Sequence, residues 1–178
     1  MHIPHNPNEL IAIVDENDNV IGKYPRKNHA EWRLHRETSV LIVNTNNDIV
    51  KILVQERSDS GHLDYSASGH FPFEQDYLEA AIRETQEELG LDIPEEKFVK
   101  ISKHRIDYNE KYTNNRFITL WEVMWDYKIE DMKIDPSEVK SVKYMTIEEL
   151  KKIMKENPEI MSAWFSESLE IYFNKKGI

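Results

Sequence analysis

The segment Arg83-Glu84-Thr85-Gln86-Glu87-Glu88-Leu89-Gly90-Leu91 carries three glutamates whose spacing could do chemistry. On a helix, Glu84, Glu87 and Glu88 stand at i, i+3 and i+4 and project from one face, where they repel one another. A hard divalent cation bound through oxygen turns that repulsion into a site. Magnesium takes one or two protein carboxylates, several waters and a substrate phosphate. An ordinary amphipathic helix with a solvated acidic face is the rival reading, and it needs the charges alone, without the glycines Gly69 and Gly90 that flank the segment.

The elements that must position these side chains are readable around them. Asp76, with Glu79 three residues on, forms a capping-box pattern that starts a helix. Leu78, Ala81, Ile82, Thr85 and Leu89 follow its core-facing period, with the glutamates on another side. Gly90 is placed to end it, because glycine accepts the left-handed conformation after a last turn. Upstream, Glu9–Asp15 and Val20–Pro25 are β-prone runs around the turn-forming Glu16-Asn17-Asp18-Asn19, which predicts a β-hairpin ahead of the main domain. Thr38–Asn44 and Ile49–Glu56 read as two core strands, and Arg57–Asp64 as a loop. Phe98–Ile106 and Phe117–Tyr127 read as further strands separated by the polar Asp107–Asn115. Thr146-Ile147-Glu148-Glu149 opens a helix to about Glu156. A final amphipathic helix follows Asn157-Pro158 and carries Trp164, Leu169, Tyr172 and Phe173. The alternation predicts an α/β domain in which helices pack on a mixed sheet.

The 178 residues are enough for one domain with a sizeable core, and 39% hydrophobic with 31% charged is an ordinary globular composition. The absence of cysteine excludes disulfides, thiolate metal sites and cysteine nucleophiles. A formal net charge of −10 argues against a nucleic-acid-binding surface and against anionic membranes, and it requires that an anionic substrate be met by a cation or by local Arg and Lys. No apolar run approaches a membrane span of about 18 residues, and the N-terminus lacks signal-peptide features, so a cytoplasmic protein is expected. Monomer and homodimer both remain open.

The stretch Gly69–Leu91 resembles the Nudix box: a Gly, five residues, a Glu, seven residues, then Arg-Glu-hydrophobic-x-Glu-Glu-x-Gly-hydrophobic. Gly69, Arg83, Glu84, Glu87, Glu88, Gly90 and Leu91 stand in register. Two positions depart: Gln75 replaces the first Glu, with Glu74 one residue early, and Thr85 takes the hydrophobic slot. The resemblance implies a Nudix α/β/α sandwich with a mixed sheet, an N-terminal β-hairpin extension over residues 1–35, and a Nudix domain with C-terminal helices over 36–178. It also implies hydrolysis of a diphosphate bond, with magnesium, or manganese in its place, as cofactor. Carried over position by position, Glu84, Glu87, Glu88 and the backbone carbonyl at Gly69 would hold the metal, and Glu84 and Glu87 would be catalytic. Arg83, Gly69 and Gly90 would be structural. The family's partner for Arg83 is the missing glutamate; Gln75 can accept a hydrogen bond but cannot form an ion pair. Glu110, Glu122 and Glu138 are candidates for a further acidic ligand.

Within that family, His29, His35 and the hairpin, with Ser68-Gly69-His70, resemble the branch that includes isopentenyl-diphosphate isomerases. There, upstream histidines and the one after the glycine bind a metal, and a cysteine before the Gly-His moves a proton. Here Ser68 stands at that cysteine position, and a serine hydroxyl is far too weak an acid to substitute. A second metal site from His29, His35 and His70 stays an open alternative to hydrogen-bonded roles. Arg57, His70, Tyr112 and Arg116 are candidate contacts for a small-molecule diphosphate substrate, with Arg105 and Lys111 as further cations. Tyr65 and Trp121 are candidate stacking surfaces, core packing being the expected role of Trp121. The expected activity is therefore a metal-dependent pyrophosphohydrolase acting on a nucleoside-diphosphate-type substrate. A domain that only binds a diphosphate, and an isomerase lacking its cysteine, are the rivals.

Overall fold

The computed structural model describes residues 7–27, 34–46, 48–107 and 115–178. Its centre is one long strand, β3 (Leu34–Asn46), which follows β1 (Leu10–Val14) and β2 (Val20–Pro25). Then come β4 (Ile49–Arg57), β5 (Leu63–Asp64), β6 (Ala67–His70) and helix α1 (Tyr77–Leu89). The rest is β7 (Phe98–Ile106), β8 (Asn115–Met124), β9 (Val139–Thr146), α2 (Ile147–Glu156) and α3 (Ala163–Lys176). Strand β8 runs parallel to β3 along almost its whole length, Leu34↔Asn115 to Val43↔Met124. The other pairs are antiparallel: β6 lies against Glu37–Val40, β4 against the end of β3, β9 on β4, and β7 on β8. The sheet is mixed, as expected.

Strand alternation sends side chains to opposite faces, and β3 uses both. Val40 and Ile42 face α1, packing with Ala67, Ala81 and Leu89. Leu41 and Val43 face α2 and α3, packing with Leu150, Phe165, Leu169 and Tyr172. The result is a helix–sheet–helix sandwich. Full burial of a Leu or Ile stabilises by about 1.5–3 kcal/mol each, so a strand buried on both faces is the natural centre of the fold.

The capping box at Asp76 is formed: its carboxylate accepts from Leu78 N and Glu79 N, and Glu79 reaches back to Asp76 N. Gly90 ends α1 with φ 68°. The last carbonyls of α1 do not go to solvent, because Lys133 N bonds Leu89 O at 2.9 Å and Asp135 N bonds Glu88 O at 3.0 Å. The hairpin joins the sheet through β1, with Ile13 opposite His35. Its turn docks by Asp18, which takes φ 63° and accepts from Arg36 Nε at 2.7 Å, from Tyr77 OH at 3.1 Å and from Lys103.

Three strands escape the sequence pattern. Strands β5 and β6 fall where a loop and an approach to the box are expected, and they are too short for alternation to register. Strand β9 reads VKSVKYMT, with only Val139 and Met145 buried, so its pairing with β4 rather than an alternating apolar pattern identifies it. The strand expected over Phe117–Tyr127 ends at Met124, and Trp125 and Tyr127 stack on each other beyond it.

Candidate active site

Helix α1 lies so that its glutamates meet the β6 strand. A Cβ built on Gly69 would come within 2.3 Å of Glu84 Oε1 and 2.4 Å of its Cδ, closer than side chains tolerate. A side chain at 69 would therefore displace the Glu84 carboxylate that rests on Gly69. Glu88 is held from two sides: Oε1 accepts from Ser68 N at 3.3 Å, and Oε2 accepts from Gln55 Nε2 at 3.1 Å. Gln55 was not singled out from sequence. Its signal is a polar residue in phase with Leu53, the β4 residue that packs in the cluster on the α1 side.

The acidic face is less open than the helical pattern suggests. Glu84 and Glu88 are 6% and 3% exposed, whereas Glu87 keeps about a quarter of its side chain in solvent. Burial pushes Glu84 up to about 8, with the charges of Glu87 and Glu138 adding to it and Arg83 opposing. Burial likewise raises Glu88 well above the ordinary carboxylate range, reinforced by Glu84 and Glu138. Two buried, mutually repelling carboxylates lack the cationic charge that would keep both ionised. An all-oxygen donor set of this kind fits a hard divalent cation.

Arg83 supplies the positive charge present. Its Nη1 donates to Glu87 Oε2 at 2.6 Å, its Nη2 to Glu84 Oε1 at 2.7 Å, and its Nε to Gln75 Oε1 at 3.2 Å. Gln75 thus takes the acceptor role expected of it, while Glu74 is exposed and makes no bond to Arg83. With the glutamates drawn to Arg83, no three His, Asp or Glu side chains among the described residues converge as a ready-made metal cage.

Of the acidic candidates further along the chain, Glu138 is the one whose charge reaches Glu84 and Glu88. Glu122 lies on the opposite face, accepting from Tyr172 OH at 2.6 Å and Lys176 Nζ at 2.8 Å. Glu110 lies outside the described residues, as do His29, Lys111 and Tyr112.

The cations divide in the same way. Arg57 is gripped by Asp59 at 2.9 and 2.8 Å and lies 3.4 Å from the buried Asp64, yet its charge is felt by Glu88. Arg26 comes from the hairpin: it pairs with Glu9, donates to His70 O at 2.9 Å, and lowers the Glu84 pKa. Sequence reasoning missed Arg26 because nothing local ties residue 26 to residue 70. Arg116 is buried on the α3 side, ion-paired with Glu37 and 4.3 Å from the Trp164 ring centroid. His35 and His70 have ring centroids 4.8 Å apart, and His70 Nε2 is 3.5 Å from Glu37 Oε2. The acid beside these imidazoles thus pairs with an arginine. Arg105 pairs with Asp107 and Glu16 at the surface. Tyr65 and Trp121 are core residues: Tyr65 OH bonds Trp164 O and Ser168, and Trp121 Nε1 donates to Thr38.

Comparisons with known proteins agree with this geometry. Residues 33–165 match the NUDIX domain family. The human isopentenyl-diphosphate delta-isomerase 2 is 34% identical over 80% of this chain and 71% of its own length. An uncharacterized Nudix hydrolase of Yersinia pestis is 39% identical over 47% of each chain. The crystal structure of DR0079 from Deinococcus radiodurans superposes with a TM-score of 0.73 at 21% identity, covering 91% of this chain and 98% of that one. No helix of the described residues is long and apolar enough to cross a membrane. With the family matched over most of its length and the box folded as a loop and helix around Gly69 and Glu84, the chain belongs to the Nudix family.

Proposed function

We propose that the chain is a cytoplasmic, magnesium-dependent pyrophosphohydrolase acting on a small nucleoside-diphosphate-type substrate. The observation that carries this reading is the buried, mutually repelling pair Glu84 and Glu88 beside Glu87, packed against Gly69. Glu84, Glu87, Glu88 and the Gly69 carbonyl would hold magnesium, or manganese in its place, which supplies charge neutralisation of the diphosphate and acidification of a water. Water attacks one phosphorus, the bond from that phosphorus to the bridging oxygen breaks, and the second phosphate leaves with that oxygen. Glu84 or Glu87 takes the proton. Gln55 and Ser68 N fix the rotamer of Glu88, and Arg57 adds positive potential on the Glu88 side. His70, whose Nε2 lies 3.5 Å from Glu37 Oε2, would be a candidate for substrate contact together with Tyr112 and Arg116. In this reading residues 1–35 are an extension carried on the catalytic domain of 36–178, and Arg26 is what the extension brings to the site.

One observation favours a binding-only domain: Arg83 already bonds two of the three glutamates. Ser68 argues against the isomerase. A turnover screen with magnesium separates the three, using nucleoside di- and triphosphates, nucleotide sugars, dinucleotides and isopentenyl diphosphate, with Glu87→Gln and Glu88→Gln alongside. Cleavage lost in both variants is expected. Tight binding without cleavage, or double-bond migration without phosphate release, would overturn the hydrolase reading.

A further inference from the structure

Arg83 places its two shortest hydrogen bonds on two of the glutamates assigned to the metal and its longest on the neutral Gln75. We propose that Arg83 and a divalent cation compete for Glu84 and Glu87, and that Gln75 sets the balance between them. The proposal rests on the metal-site reading above.

A guanidinium is a planar fork that fits carboxylate oxygens edge-on. The Glu84 and Glu87 oxygens that Arg83 occupies are oxygens a cation would need. When a cation takes these carboxylates, Arg83 must find its charge a partner elsewhere. Its side chain is only 27% exposed, so water is a poor substitute. The acceptor already in place is Gln75 Oε1, a neutral amide that accepts a hydrogen bond but forms no ion pair. Glu74 makes no bond to Arg83, so the charge one residue away does not compensate. Cation entry therefore works against the loss of two anionic partners of Arg83, with one neutral acceptor retained. A carboxylate at 75 would keep Arg83 docked while the cation binds. The substitution at 75 thus weakens the site for its cation without removing a ligand, and it makes occupancy depend on free divalent concentration.

The test is calorimetric titration of magnesium into the metal-free full chain as wild type, Gln75→Glu, Arg83→Met and the double variant. Gln75→Glu is expected to tighten the magnesium Kd by about tenfold. Arg83→Met, lacking the competitor, is expected to bind at least as tightly as wild type. In the Arg83→Met background the Gln75→Glu change is expected to shift Kd by less than about threefold, because its effect passes through Arg83. An unchanged Kd for Gln75→Glu, an equal tightening in both backgrounds, or weaker binding by Arg83→Met each overturns the proposal. Should Arg83→Met not fold, the Arg83 Nε–Hε resonance of the 15N-labelled protein decides. It is expected to move on magnesium addition in wild type and to move little in Gln75→Glu; a wild-type resonance that stays fixed while magnesium binds overturns the proposal. The readout is cation binding, so a chain that cleaves nothing yet shows this cycle keeps the inference and loses the hydrolase reading, and the reverse pattern does the opposite.

Discussion

Glu88 shows how much one side chain depends on what surrounds it. It is buried, bonded by Gln55 and Ser68 N, and carries a carboxylate next to Glu84 and Glu138. Glu88→Gln removes a carboxyl group whose ionised form is disfavoured by burial and by repulsion from Glu84 and Glu138, while keeping the shape. The metal-free variant is therefore expected to melt roughly 2–4 °C higher for each kcal/mol of repulsion removed, while magnesium-dependent turnover collapses; a lower melting temperature would show that the charge is compensated. Gln55→Met withdraws the amide that orients Glu88, and magnesium affinity is expected to fall by about 10–100-fold, read by titration. Gly69→Ala pushes a methyl into the Glu84 carboxylate and is expected to cost about 1–3 kcal/mol in urea unfolding.

At the scale of elements, α1 is set by local chemistry and the hairpin by distant chemistry. Asp76→Ala removes the carboxylate half of the capping box, leaving the backbone N–H of residue 76 on Glu79, and is expected to cost about 1 kcal/mol, measured by urea unfolding. The hairpin hangs on Asp18, whose carboxylate meets Arg36, Lys103 and Tyr77 from three other elements. Asp18→Ala strands two cations and is expected to cost roughly 2–3 kcal/mol, less than for a fully buried pair because both cations keep some water. The capping box, the glycine stop and the capped start of α2 at Thr146 were readable because each is written within four residues. Strand β9 was not, since its pairing with β4 joins residues more than eighty positions apart.

The molecule as a whole answers pH through groups on its α3 side that titrate with opposite signs. His104 bonds Ser102 and Ser168, and burial, aided by the charge of Lys175, pushes it down from 6.5 to about 4. The unfolded chain protonates first, so this contribution to stability is complete above about 6.5 and is lost as pH falls toward 4. Burial pushes Asp64 up from 3.8 to about 6, so its contribution is complete below 3.8 and is lost as pH rises through 6. His104→Gln is expected to abolish part of the acid loss. Asp64→Asn is expected to abolish a fall worth roughly 3 kcal/mol between pH 4 and 6. Urea midpoints across that range check both, and a His104→Gln profile parallel to wild type would refute the first.

The family, the α/β class, the helix of the box with both its ends, and the face shared by its glutamates are written in local residue patterns. Helical spacing and caps are local, and a motif with two flanking glycines survives without knowledge of the rest of the chain. Tertiary structure decided which charges those glutamates meet. Gln55 arrives from β4, Glu138 from the approach to β9 and Arg26 from the hairpin, while Arg116 is turned to the other face by strand alternation. It also decided that Glu84 and Glu88 are buried rather than solvated. Burial depends on everything packed around a carboxylate, and no spacing along the chain records that.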